Sequence, residues 1–478
     1  MQKSLEQNTR KHSLRLAFLQ GIVCFSVLSS VAVKAEPAIT SNVLSIEAAV
    51  ELAQKNDPWL VKNKHTQNAV ESMSVAVGTL PDPKMTVALA NLPTDTFDFD
   101  QEPMTQFKVG VTQMFPRGDT LELKQQQLEI SGTQFPFQRG DRRAKLAVMV
   151  SGLWLEAYRA QESIALIEKD RPLFEQLADV AEASYASALG RTRQQDIIRA
   201  QLEITRLDDR LTKLRQKQEM AVEQLSQWLS ESFRDRYLDT TGPAALVSWS
   251  SLELKRNIPD VPMLNKDLYT SRLEANPQTL YEYFSNHPAV SALDKKIEVS
   301  DAGVELARQS YKPEWAINAS YAYRDDAQNG SDRADFVSVG VTFDLPFFTE
   351  KRQDKQVESA MSRSLSVKTE KWMLIRKMIA DFEKSRTQLK RLNERQKLYA
   401  NELLPQMNEQ AEASLTAYTN DDGDFAEVVR ARIAVLNAQI NALNIDVDMQ
   451  KTIIQLNYYF MKNAEEIIAG NRDAGELK

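Results

Sequence analysis

The sequence predicts a mixed fold in which two tandem repeats each contribute one pair of β-strands and two very long helices. Three observations lead to this prediction. The segment Val109-Gly110-Val111-Thr112 recurs 230 residues later as Val339-Gly340-Val341-Thr342. Each copy lies in a strand-like alternation of apolar and polar residues, and each is followed by a helical tract far longer than the average globular helix. An internal repeat of this size is stronger evidence for a fold than any single motif.

The first 35 residues have the features of a secretory signal peptide. Basic residues precede an apolar run from Leu16 to Val33, and Val33-Lys34-Ala35 offers small side chains for cleavage before Glu36. A single membrane anchor is the alternative, but the run contains polar residues and is short for a spanning helix. The only cysteine, Cys24, lies in this run behind Val23, which argues against lipidation. We therefore expect an exported chain without disulfides or thiol chemistry.

Composition excludes several classes of protein. Charged residues make up 26% of the chain and aromatic residues 8%, which fits neither a disordered protein nor a bundle of membrane helices. The net charge is −7 and there is no basic stripe, which argues against nucleic acid as a partner. Beyond residue 35 no apolar run approaches the roughly 18 residues of a membrane helix. An exported chain of this kind stays in water or crosses a membrane as strands.

The first repeat covers residues 36–230. Its opening sequence, LSIEAAVELAQKNDPWL, has apolar residues three and four apart, as in an amphipathic helix, and a kink is expected at Asn56-Asp57-Pro58. Strands are predicted over 84–92 and 105–115, and long helices over 119–189 and 192–230. The apolar residues of the last helix form a heptad seam with charged flanks, which is also typical of a soluble antiparallel coiled coil.

An irregular linker, 231–276, precedes the second repeat, 277–463, and a C-terminal tail, 464–478, follows it. The kink recurs as Asn286-His287-Pro288, where His287 is expected to cap a helix or lie at the surface and not to bind a metal. The second repeat is predicted to contain strands 315–323 and 336–345 and long helices 350–419 and 425–463.

The strands allow two interpretations. In 336–345 the apolar residues alternate with small or polar ones, so each set occupies one face of a sheet. A half-buried strand of an ordinary antiparallel sheet has this pattern. A strand of a membrane barrel has it too, and its length of about 9–11 residues matches. Alternation alone does not decide between the two.

The chain resembles the family of TolC-like outer-membrane efflux ducts over residues 43–463. The resemblance is carried by the opening LSIEAAVELAQKNDPWL, by the strand ends Phe115-Pro116-Arg117-Gly118 and Leu345-Pro346, and by ALGRTRQQDIIRAQ at 188–201. The stretch GTLPDPKMTVALANLP at 78–93 is most similar to the heavy-metal efflux branch. The resemblance is specific because these motifs occur in both halves and in the right order.

The resemblance implies a long α-helical barrel joined to a membrane β-barrel, with four strands from each chain and closure by trimerisation. The linker and tail would form a belt around the middle. Physical reasoning agrees that chains must combine, because four strands cannot close a barrel and open edges do not persist in lipid. The implied location is the outer membrane of a Gram-negative cell, with the helices in the periplasm.

The implied function is a passive exit duct, with no enzyme activity and no cofactor. An inner-membrane pump, of RND type in the heavy-metal branch, would deliver cations such as copper, silver, zinc, cobalt or cadmium through a periplasmic adaptor. A multidrug duct or a type I protein secretion duct of the same fold is the first alternative. A secreted coiled-coil structural protein is the second, although it does not explain four strands placed identically in two halves.

The reversals between the long helices, here called the helix tips, carry the candidate site residues. Ducts of this family narrow at the periplasmic end, where acidic residues after the tip glycine line the constriction. The candidate gate residues are Asp196 in the first tip and Asp421, Asp422, Asp424 and Glu427 in the second. Rings of such carboxylates favour cations, whereas helix capping is the alternative role of these residues. The adaptor is expected to dock at Gly190, Arg191 and Gly423, whose glycines permit a tight reversal.

Overall fold

The computed structural model describes residues 43–186, 193–229, 253–264, 277–420 and 423–461. The predicted signal peptide, most of the linker and the tail lie outside these residues. Helices dominate the described part of the chain, as predicted. Their bounds are α1 Ile46–Asn56, α2 Pro58–Val77, α3 Thr120–Ala186, α4 Gln194–Leu229, α5 Pro277–Ser285, α6 Pro288–Arg308, α7 Gln353–Leu398, α8 Leu404–Thr419 and α9 Phe425–Phe460.

The longest helix, α3, has 67 residues, which corresponds to about 100 Å at 1.5 Å per residue. Its counterpart in the second repeat is divided, because a π-helical turn over Tyr399–Leu403 separates α7 from α8. Pro405 explains this turn: it lacks an N–H and its ring would clash with the carbonyl of Asn401 in a regular helix. Among the described helices, none combines the length and the apolar composition needed to cross a bilayer.

Four strands form one antiparallel sheet in the order β2, β3, β5, β6. Their bounds are β2 Lys84–Ala90, β3 Gln106–Phe115, β5 Trp315–Tyr323 and β6 Phe336–Phe343. The hairpin of each repeat is intact, and the two hairpins lie side by side because β3 pairs with β5. A separate short ladder joins β1, Val43–Leu44, in parallel to β4, Glu253–Leu254.

The main core surrounds Trp154 of α3, which is 1% exposed. The Nε1–H of Trp154 donates to the carbonyl of Leu44 at 3.0 Å, and its ring stacks on Tyr158 at 5.4 Å. The Tyr158 hydroxyl donates to the carbonyl of Arg256 at 3.1 Å, and the N–H of Leu264 donates to Oδ1 of Asn457 at 2.9 Å. The described part of the linker, 253–264, is thereby attached to both α3 and α9.

Each repeat has a capped kink at the position predicted from proline. Asp57 caps α2 by accepting the N–H of Trp59 at 3.1 Å. His287 caps α6, because its Nδ1 accepts the N–H of Ala289 at 3.1 Å while its Nε2–H donates to the carbonyl of Tyr458 at 3.0 Å. The predicted capping role of His287 is confirmed, and the side chain is also buried, with 1% exposure.

The cap makes the stability of this kink dependent on pH. Burial lowers the pKa of His287 below 6.5, with Lys145 acting in the same direction and Asp141 and the Tyr458 carbonyl opposing. Because the unfolded chain takes up this proton more readily, the stabilising contribution is complete above about pH 6.5 and is lost as the pH falls through the lowered pKa. We expect the unfolding temperature to decline more steeply below pH 6.5 in the native chain than in His287→Asn, where asparagine caps without titrating. Equal slopes in the two proteins would contradict this assignment.

Candidate functional site

One face of the four-stranded sheet is apolar and uncovered. Val337 and Val339 on this face are 75% and 73% exposed. An ordinary antiparallel sheet packs such a face against a core, and no described part of the chain covers it. From the loop end to the helix end its side chains form rows across the strands: Leu89, Phe107 and Tyr323; Val87, Val109, Tyr321 and Val337; Met85, Val111, Ala319 and Val339; Gln113, Ile317 and Val341; Phe115, Trp315 and Phe343.

The opposite face carries small and polar side chains. Asn318 donates from Nδ2 to Oγ1 of Thr342 at 3.3 Å across β5 and β6. At Gly340 a Cβ would lie 2.7 Å from Oδ1 of Asn318, so glycine leaves room for this amide. The other members of this face include Thr86, Gly110, Thr112, Ser320 and Ser338. A sheet with these two faces is suited to separate hydrocarbon from water.

Aromatic side chains mark both ends of the apolar face. At the helix end the rings of Trp315 and Phe343 are 5.0 Å apart, and at the loop end Tyr323 stacks on Phe99 at 6.3 Å. The rows from Phe107 to Phe115 extend over about 27 Å at 3.4 Å per residue. Outer-membrane strands carry an apolar band of about 25 Å between two aromatic girdles, and this sheet has the same arrangement.

The two outer strands leave open edges. Within the described residues β2 pairs only with β3, and β6 pairs only with β5. Each edge therefore presents a row of backbone N–H and C=O groups without partners from this sheet. In hydrocarbon such groups cost several kcal/mol each, so a sheet of this kind in a membrane needs further strands from elsewhere.

The repeats are also joined at the helix end of the sheet, where β3 turns into α3. The Arg117 guanidinium donates to the carbonyl of Lys312 at 2.9 Å and pairs with the carboxylate of Asp344. Gly118 has a positive φ of 44°, and a Cβ there would meet the Lys312 side chain at 2.2 Å. Glycine is required at this corner by both conformation and space.

The first helix tip is described only from residue 193 onward, so Gly190 and Arg191 lie outside the described residues. Asp196 is 6% exposed, and its Oδ2 accepts the N–H of Arg193 at 3.0 Å while its own N–H donates to the Arg193 carbonyl at 2.9 Å. This reciprocal pair is the capping-box arrangement at the start of α4. In this structure Asp196 therefore acts as a helix cap.

In the second tip Asp421 and Asp422 lie outside the described residues, and Asp424 and Glu427 are exposed. Asp424 caps α9 by accepting the N–H of Ala426 at 3.2 Å. Glu427 stands at the third position of α9, as Asp196 does in α4, but its carboxylate faces solvent. The two tips share the capping role, and in the second tip the acidic side chains remain accessible.

Gly423 does not have the positive φ that its proposed role in the reversal suggested. Among the described residues, positive φ at glycine occurs at Gly118 and Gly330. A Cβ on Gly423 would lie 2.5 Å from the backbone nitrogen of Tyr418 and 2.8 Å from the carbonyl carbon of Ala417. Glycine is needed here because the chain passes close to the end of α8.

We expect Gly423→Ala to displace the second tip, since a backbone contact this short cannot be relieved by a side-chain movement. Docking of the adaptor should weaken, and hydrogen exchange should increase in the first turn of α9. Gly152→Ala, at a helix position where a Cβ meets nothing within 4 Å, is the matched control. If both variants dock equally, the tip does not depend on this close approach.

Two features of the site were missed from sequence. The aromatic ends of the sheet could have been found from Trp315 and Phe343, because each begins or ends an alternating segment. The clamp formed by Arg117 has no local signal, since its partners are almost 200 residues distant in sequence. In the described part of the chain, no group of three or more His, Cys, Asp or Glu side chains is arranged to hold a metal ion.

Comparisons with known proteins point in one direction. Residues 279–459 match the family model for outer membrane efflux protein. The fold is similar to that of CusC, with a TM-score of 0.67, 12% identity, and coverage of 90% of this chain and 95% of that chain. No curated protein sequence matches this chain.

Two further solved structures have similar folds. One is the Campylobacter jejuni CmeC outer membrane channel, with a TM-score of 0.64, 12% identity, and coverage of 90% of this chain and 87% of that chain. The other is the Neisseria gonorrhoeae MtrE outer membrane channel, with a TM-score of 0.65, 12% identity, and coverage of 89% of each chain. At this identity the likeness concerns the fold alone.

Proposed function

This chain is a TolC-like outer membrane efflux protein, and we propose that three copies of it form the exit duct of a tripartite efflux system. Proteins of this family are passive outer-membrane channels and not enzymes. In the proposed assembly the four-stranded sheets of three chains close one barrel in the outer membrane. The long helices form a tube in the periplasm, and a periplasmic adaptor connects it to an inner-membrane pump.

The uncovered apolar face of the sheet carries this proposal. A sheet with side chains as exposed as Val337 and Val339 would aggregate in water, whereas in lipid the same exposure is favourable. Four strands are half the number in the smallest outer-membrane barrels, so closure needs additional chains. The alternative of a secreted coiled-coil protein gives no role to this face.

Extraction and conductance test the proposal directly. The protein should remain with outer membranes after washing with salt and alkali, dissolve only in detergent, and there have the mass of three chains. Reconstituted in planar bilayers, it should open water-filled channels. A protein that stays dissolved in buffer as a monomer would end this proposal.

For the substrate we propose heavy-metal cations, with copper and silver or zinc, cobalt and cadmium as the candidates, and an RND-type pump as the source. The similarity of 78–93 to the heavy-metal branch supports this choice. A multidrug or protein-secretion duct is the competing proposal, because a wide tube carries little information on its substrate. A deletion strain should lose tolerance to metal salts while keeping its tolerance to dyes and antibiotics. The reverse pattern would favour the competitor.

We further propose that the acidic residues of the second tip line the narrow periplasmic end of the duct. Asp424 and Glu427 are exposed there, and three chains would form rings that attract cations. The variant with Asp421, Asp422 and Asp424 changed to Asn and Glu427 to Gln should be blocked several-fold less by divalent cations in single-channel records. The control neutralises as many acidic residues in the loop after β2, namely Asp95, Asp98, Asp100 and Glu102. If both variants retain the native block, the tip does not form the constriction.

A further inference from the structure

The chain contains a complete junction between its two repeats, in which β3 of the first pairs with β5 of the second. We propose that successive copies join by the same junction, so that β6 of one copy pairs with β2 of the next in a register that the internal repeat determines. This inference rests on the proposed assembly of several chains into one barrel. It names the residues that face each other across the contact.

The correspondence between the repeats follows from the observed strand pairing. Thr112 of β3 and Thr342 of β6 are equivalent, 230 residues apart in the recurring segment. Thr112 lies opposite Lys84 in the first hairpin, and Thr342 lies opposite Ala316 in the second. Lys84 and Ala316 are therefore equivalent, 232 residues apart. The difference between the two spacings reflects two additional residues between the kink and β5.

These equivalences convert the internal junction into an intermolecular one. Within the chain Thr112 lies opposite Asn318. The equivalent of Asn318 is Thr86, so Thr342 of one copy lies opposite Thr86 of the next. The strands are antiparallel, which places Val341 opposite Val87 and Phe343 opposite Met85. All four of these residues belong to the apolar face, so the register keeps both faces of the sheet continuous across the contact.

The same register brings opposite charges together. Asp344 follows the last residue of β6, and Lys84 is the first residue of β2. In the proposed register Asp344 of one copy lies opposite Lys84 of the next. The equivalent pair inside the chain, Met114 and Ala316, is neutral. The charge pair thus occurs only at the junction between copies, where it disfavours a register shifted by one or two residues.

The corner beside the sheet supports the same contact. Phe347, the equivalent of Arg117, is 74% exposed, whereas Arg117 reaches the carbonyl of Lys312 inside the chain. The equivalent of Lys312 is Leu80, which is 51% exposed. Joining the copies brings Phe347 of one against Leu80 of the next, so two apolar side chains that one chain leaves uncovered would cover each other.

Cysteine pairs test the register, with Cys24 replaced by serine in every variant. Thr342→Cys with Thr86→Cys should form disulfides between copies in outer membranes treated with an oxidant, giving covalent trimers on a non-reducing gel. The two positions in one chain are separated by three strand spacings, about 14 Å, which excludes a bond within the chain. Thr342→Cys with Ala88→Cys is shifted by two residues, and its Cβ separation of about 7–8 Å should reduce the yield about tenfold.

Thr112→Cys with Asn318→Cys is the matched control, because it is the equivalent pair within the chain and has the same strand geometry. This pair should close an intramolecular bond and show that the oxidant reacts at this face. If the control closes while the Thr86 pair does not, or if the Ala88 pair links the copies better, the register is wrong. Failure of the native protein to form trimers or to conduct would instead overturn the proposed duct.

Discussion

Replacing Val339 by lysine is expected to abolish assembly in the outer membrane. Val339 lies in the middle row of the apolar face and is 73% exposed in the single chain. On a surface facing water this change would alter stability by no more than about 0.5 kcal/mol. At the midplane of a bilayer a lysine on the lipid face costs about 2–4 kcal/mol, and each of three copies would bear that cost. The fraction of chain recovered from outer membranes as a heat-resistant trimer measures the effect.

The neighbouring residue provides the control. Ser338 belongs to the same strand but to the polar face, so Ser338→Lys directs the same charge towards water. We expect near-native amounts of trimer for Ser338→Lys and almost none for Val339→Lys. Equal assembly of the two variants would show that the apolar face does not contact lipid, and the membrane sheet would have to be abandoned.

The parts of the fold that the sequence could predict are those with a local signal. Alternation places β5 and β6, and proline places the kinks at Pro58 and Pro288, because each pattern acts over a few residues. The register between the repeats could not be predicted in this way. The two additional residues between the second kink and β5 change the spacing from 230 to 232, and only the observed pairing reveals where they are absorbed.

At the helix tips the sequence indicated residue types but not their environment. Asp196 and Glu427 both occupy the third position of a helix, yet one is buried as a cap and the other is exposed. Gly423 was expected to allow a positive φ, whereas its actual constraint is the approach to the backbone of Ala417 and Tyr418. Burial and close approach depend on contacts between elements, and no single segment encodes them.

Removal of the Arg142 side chain is expected to produce the largest loss of stability in the helical part. The carboxylate of Asp57 at the first kink is 2% exposed and accepts from Arg142 at 2.7 and 3.3 Å. The guanidinium is held between the rings of Trp59 and Trp228, at 5.7 and 5.5 Å from their centres. Arg142→Ala leaves a buried carboxylate without its cation, which typically costs about 3–5 kcal/mol.

A second substitution separates the charge from the packing. Asparagine at position 57 still accepts the N–H of Trp59 as a cap and carries no charge, so Arg142→Ala with Asp57→Asn should recover part of the loss. Arg391→Ala, which breaks an exposed pair with Glu394, should cost no more than about 0.5 kcal/mol. Denaturant unfolding in detergent and hydrogen exchange in the first turn of α2 measure these differences. If the single and double variants are equally unstable, the stacking on the two tryptophans, and not the buried charge, holds α1 and α2 at this kink.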